Sequence, residues 1–119
     1  YYVGGSVNYT RPVLLHLSGM RAEELAGMRG ATEEFALLAA RSVRTRYGTH
    51  WGVGEGGAAG PTGNRYGDPA GHVCLAVAGP VEDGRGVITN LGWPFDAATL
   101  AQQLALQHIH ILNDLEAVG

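Results

Sequence analysis

Between Gly54 and Gly71 the sequence turns rich in glycine and proline, and Gly57, Gly60, Gly63, Asn64 and Arg65 there form the first candidate for chemistry. Glycines that follow a strand let backbone N–H groups approach a ligand closely, and such concavities favour phosphate. Asn64 would add donors and Arg65 a positive charge. The competing reading is a crossover loop whose glycines only serve its turns. Five histidines, His16, His50, His72, His108 and His110, raise the question of a metal. His108 and His110 share a face if they lie on a strand, but two imidazoles without a third ligand make a poor site, and no metal is expected. Cys74 is the single cysteine, so no internal disulfide can form, and its apolar surroundings point to an inert buried thiol.

The elements that would position these groups alternate between strand and helix. Tyr1 to Thr10 mixes aromatic and β-branched residues with Gly4 and Gly5 and reads as a strand with a bulge. Ala22 to Met28 suits a short helix. A stronger helix follows, with Thr32 as N-cap, Glu33 and Glu34 in the first turn, arginines at the far end and Gly48 just past it. Phe35, Leu38, Ala39, Ser42 and Val43 supply its apolar stripe. Trp51 to Glu55 is a short strand candidate. His72 to Ala78 is a continuous apolar run, as expected of a central strand covered on both faces. Asp83-Gly84 signals a turn before a strand around Val87 to Thr89, Asp96 caps a helix to about Leu106, and His108 to Leu112 alternates as a strand. The expected fold is α/β, a layered arrangement with a small mixed or mostly parallel sheet flanked by helices.

Composition narrows the function classes. A net charge of −3, with 16% charged residues, leaves no basic face for nucleic acid. No apolar stretch approaches the roughly 20 residues of a membrane span. A cytoplasmic protein is the default. The chain opens on the strand-like Tyr1-Tyr2-Val3 and closes on a strand running into a helical turn, so truncation at both ends is expected, with self-association through exposed strand edges.

Residues 1 to about 82 resemble the C-terminal domain of the CinA family, whose enzymes deamidate nicotinamide mononucleotide. The resemblance rests on Tyr2-Val3-Gly4-Gly5-Ser6-Val7-Asn8-Tyr9-Thr10, Gly30-Ala31-Thr32-Glu33-Glu34, Gly57-Ala58-Ala59-Gly60-Pro61, and Gly71-His72-Val73-Cys74-Leu75-Ala76-Val77-Ala78. It implies a nucleophilic serine ahead of the first strand, which this sequence does not carry, and a lysine a few residues after the strand tyrosine. Arg11 and Pro12 stand there instead, and a protonated guanidinium cannot serve as a base. Gly56 replaces the family's loop threonine. Tyr9 is the one polar site residue the resemblance carries over, and a tyrosine that simply anchors a strand is the alternative.

From about Cys74 to Gly119 the chain resembles bacterial glucokinase. The residues concerned are Leu75-Ala76-Val77-Ala78-Gly79-Pro80-Val81, Thr89-Asn90-Leu91-Gly92-Trp93, and Leu112-Asn113-Asp114-Leu115-Glu116-Ala117-Val118. The resemblance implies that Asp114 takes the proton of a sugar hydroxyl as the phosphoryl group arrives. Asn113 and Asn90 fall to sugar binding. The alternative is that Asn113-Asp114 merely caps a strand-to-helix junction. The family's phosphate loop and second lobe have no counterpart here, so ATP and magnesium enter only if that activity survives; no other cofactor is evident.

The two resemblances overlap at Cys74 to about Val81, so the domains read as 1–82, partly CinA-like, and 74–119, partly like the glucokinase N-terminal lobe. The expectation is a hybrid or fragment lacking the apparatus for either reaction. Its remaining partner would be a small phosphorylated nucleotide or a sugar. The alternatives are residual amidase or phosphate-binding activity, and residual glucose phosphorylation.

Overall fold

A glycine-striped strand pressed against an alanine-faced helix organises the front of the molecule. The computed structural model describes residues 1–82, 85–88 and 93–105. Helix α2 spans Glu33–Tyr47; the Thr32 hydroxyl accepts from the Phe35 N–H at 3.3 Å, and Gly48 closes the helix at φ 61° in the left-handed region. Strand β1 (Gly52–Ala58) pairs antiparallel with β2 (His72–Ala78), Gly52 opposite Ala78 and Ala58 opposite His72.

The buried centre of α2 is Ala36 and Ala40, which are 1% and 0% exposed, rather than the expected stripe through Phe35, Leu38 and Ala39. The reason lies across the interface. Gly52, Gly54 and Gly56 share the β1 face turned to α2, and a Cβ on Gly54 would overlap the Ala36 carbonyl oxygen and stand 2.5 Å from the Ala40 nitrogen. Helix and strand backbones approach so closely that only small residues fit between them. Gly54 and Gly56, which the sequence places in the glycine-rich loop, are therefore packing residues, as is Gly52.

Other expectations shift for equally local reasons. Residues 1–9 form no helix or strand, because among the described residues no strand lies beside them to complete a ladder. Pro12 sits in the first turn of a short helix α1 (Arg11–Val13), where its missing N–H costs nothing, and the chain continues as one π-helical stretch over Leu14–Ser18. Ala22 to Met28 makes successive turns instead of a helix, with Gly27 at φ 72°. Strand β2 matches its expected bounds but is covered on one face only: Val73 and Leu75 are about half exposed.

Further along, β3 (Val81–Glu82), β4 (Arg85–Ile88) and β5 (Trp93–Asp96) form a second antiparallel sheet in that order. Helix α3 (Ala97–Gln103) begins at Asp96, whose carboxylate accepts from the Thr99 N–H at 2.9 Å, as the sequence leads one to expect. The fold class is α/β, with every described strand pair antiparallel where alternation with helices pointed to a mixed or mostly parallel sheet. In the second sheet the two- and four-residue connections allow only antiparallel pairing, since a parallel pair needs a crossover of a dozen or more residues; β1 and β2 pair antiparallel across a longer loop. The expected Asp83-Gly84 turn and His108–Leu112 strand lie outside the described residues. No helix among the described residues is long and apolar enough to cross a membrane.

Candidate functional site

The loop joining β1 to β2, residues 59–71, is built around Asn64 and Asp68. The Asn64 side-chain oxygen accepts from the N–H groups of Tyr66 and Asp68 at 3.0 and 3.1 Å, while its amide nitrogen donates to the Asp68 carboxylate at 2.7 Å. The Asn64 N–H donates to the Asp68 carbonyl at 3.0 Å, closing the loop on itself. A Cβ on Gly63 would overlap that same carbonyl, so glycine is the residue that lets the loop close. Gly60 and Gly71, at φ 112° and 85°, take left-handed conformations that favour glycine, and the Gly60–Pro61 peptide is cis.

Arg29 ties this loop to the segment before α2. Its guanidinium donates to Asp68 at 2.6 Å and lies over the Tyr66 ring, 4.5 Å from the centroid. Arg65 stacks on the same ring at 4.8 Å and donates to the Tyr66 hydroxyl at 2.6 Å. The hydrogen bond from Asn64, then that from Arg29 and its charge, hold the Asp68 carboxyl below the usual carboxylate range. Because the folded value is the lower one, this contribution is present above the unfolded value near 3.9 and disappears as pH falls through the folded one. Asp68→Asn should therefore be less stable than the parent chain at neutral pH, and the two melting curves should converge on acidification below about pH 4. Thermal melts across that window check the convergence.

At the β2 end, the His72 ring Nε2 donates to the Ala31 carbonyl at 3.0 Å, and the Cys74 sulfur stands 3.5 Å from both that oxygen and His72 Nε2. Ala31 itself is buried with φ 55°, so these contacts pin a backbone conformation that alanine rarely adopts. Burial, then the negative charges of Glu33, Asp68 and Glu55, push the Cys74 thiol up. A protonated, half-buried thiol is a poor nucleophile, in keeping with an inert packing role. Among the described residues no group of three or more side chains could hold a metal ion.

The structure thus brings Gly60, Gly63, Asn64 and Arg65 together in one loop, with Gly57 at its threshold on β1 opposite Val73. Asn64 spends its side chain inside the loop, and the amides of residues 64, 66, 67, 68, 71 and 72 are likewise engaged. What the loop turns outward is the exposed guanidinium of Arg65. Tyr9 stands apart, 92% exposed. Asn90, Asn113 and Asp114 lie outside the described residues. Sequence reasoning missed Arg29, Tyr66 and Asp68. The Asn64-x-x-x-Asp68 spacing within a glycine-rich loop is a signal for the last, but nothing local announces Arg29, 39 positions away from its partner.

Comparison with known proteins finds two families, whose matches overlap along the chain. The CinA-like protein of Nostoc punctiforme is 30% identical over 109 residues, 92% of this chain and 25% of that protein. A crystal structure of a competence or damage-inducible protein from Enterobacter asburiae superposes with a TM-score of 0.53 at 27% identity, covering 60% of this chain and 45% of that one. The glucokinase of Nostoc punctiforme is 44% identical over 46 residues, 39% of this chain and 14% of that protein. The chain therefore spans a quarter or less of the length of these curated relatives. The glucokinase family model matches residues 59–119, beginning within the β1–β2 loop and ahead of the Cys74–Val81 segment where the two resemblances meet. By that match the chain belongs to the glucokinase family, and it joins this sequence to one that is CinA-like in both residues and fold.

Proposed function

We propose that this chain is a catalytically incomplete hybrid of a nicotinamide-nucleotide amidase-like domain and a glucokinase-like segment, acting in the cytoplasm without a cofactor. The observation that supports it most directly is the isolation of Tyr9. It stands almost fully in solvent, and Arg11 beside it donates to the Ala22 carbonyl at 3.3 Å. All eight positions counted as lysine or arginine in this sequence are arginines, so it carries no lysine to act as a base. Covalent amide hydrolysis requires a nucleophile and its base within hydrogen-bond reach of each other. Asp114 by itself cannot hold ATP, magnesium and glucose, so no phosphoryl transfer is expected on this reading.

A second reading is favoured by Arg65. Held over Tyr66 and turned outward, it leaves a cation at the mouth of the loop for the phosphate of a small nucleotide, bound weakly and without turnover. The purified chain should release no ammonia from nicotinamide mononucleotide and show no glucose-dependent ATP consumption above the uncatalysed background. Calorimetry with the mononucleotide should give weak binding that Arg65→Ala removes. Steady turnover abolished by Tyr9→Phe, or by Asp114→Asn for the kinase reaction, would show the proposal to be wrong.

A further inference from the structure

From Val3 onward residues 1–9 alternate with a period of two: Tyr1, Val3, Gly5, Val7 and Tyr9 fall on one side, and Gly4, Ser6 and Asn8 on the other, with Tyr2 the one aromatic on that second side. That is the pattern of a half-buried strand, yet Tyr1, Val3, Val7 and Tyr9 are between 56% and 108% exposed. On the other side of the account stands an incomplete sheet. Only β2 pairs with β1 among the described residues, and none of those residues takes up the N–H and C=O groups along the outer edge of β1. The solvent face of the β1–β2 pair carries Val53, Val73 and Leu75, all more than half exposed, with the exposed Glu55 between them opposite Leu75. Glu55 is the one charge on β1, and neither lysine nor proline guards that edge.

An open cleft of about 1910 Å³ is lined both by residues 1–9 and by β1. The chain's own segment does not cross it. Directly after that segment α1 begins, with the Leu14 N–H on the Thr10 carbonyl at 3.0 Å and Arg11 donating to the Ala22 carbonyl. We infer that the occupant of the β1 edge is residues 1–9 of a second copy of this chain, given reciprocally, so that each copy completes the sheet of the other. The exchange is two-fold and closed, which limits it to a dimer. Each tyrosine covers about 150–250 Å². Tyr1 and Tyr9 of both copies, with the surface they cover, remove on the order of 1,200–2,000 Å² from water, the size of a stable interface. This inference stands apart from the question of catalysis.

Light scattering across a concentration series should show a monomer–dimer equilibrium. Val3→Pro with Val7→Pro, which deletes two ladder donors from a segment outside the folded core, should raise the dimer dissociation constant at least about tenfold with the far-UV dichroism unchanged. A synthetic peptide of residues 1–10 in excess should convert the dimer into monomers carrying one peptide each. A chain that stays monomeric at every concentration overturns the inference. So does a dimer, or an open-ended aggregate, that neither the prolines nor the peptide diminishes.

Discussion

Gly54→Ala should lower the stability of the chain by about 3 kcal/mol, a fall on the order of 10 °C in melting temperature. Two effects of opposite sign compete at that position. Replacing a strand glycine removes conformational freedom from the unfolded chain and by itself stabilises by about 0.5–1 kcal/mol. Against this, the new methyl meets the Ala36 carbonyl and the Ala40 nitrogen, with the Ala39 methyl at 2.8 Å. The first two are helix backbone and cannot rotate away, so α2 would have to lift from β1 and open the interface on which Ala36 and Ala40 are buried. The steric term wins. Gly30→Ala is the matched control: its backbone lies outside the left-handed region and nothing stands within 4 Å of a new Cβ, so it should be neutral or slightly stabilising. Parallel thermal melts of the two variants decide the matter.

Gly79→Ala should cost about 2 kcal/mol for a different reason, and its cost should vanish in a second background. Gly79 is buried beneath the indole of Trp51: a Cβ there would overlap Cε3 and Cζ3 and lie 2.6 Å from Cδ2. Here the obstacle is a side chain. Trp51→Ala removes it, at a cost of its own of about 2 kcal/mol for a half-buried ring. The double variant should then be scarcely less stable than Trp51→Ala alone, a coupling of about 2 kcal/mol at the upper part of the range seen between contacting residues. Urea titrations of the four proteins in this cycle measure it. Simple additivity would mean that the ring does not rest on Gly79.

These two positions illustrate what could be read from the sequence and what could not. The Thr32 cap, the Gly48 terminus, the His72–Ala78 strand and the Asp96 cap are local signals, each decided by a few neighbouring residues, and each has its counterpart in the structure. Glycine is ambiguous because its meaning depends on what approaches it. Gly52, Gly54 and Gly56 belong to the contact with α2, and Gly63 to a loop carbonyl, and neither surrounding is visible in the flanking sequence. Tertiary pairing accounts for the remaining differences. Residues 1–9 have strand chemistry but lack a neighbour among the described residues, Arg29 meets Asp68 across a long separation, and Val73 and Leu75 sit on a face that continuous apolarity suggested would be covered.

The contact between α2 and the β1–β2 hairpin is made wholly by residues 33–78, with the helix, the first strand and its partner following one another in order. Such a unit closes short loops, and loop closure is what slows the search for distant pairings. It can assemble while whatever follows Gly79 is still free, so a lineage could exchange the downstream half of the polypeptide without having to rediscover how the upstream half condenses.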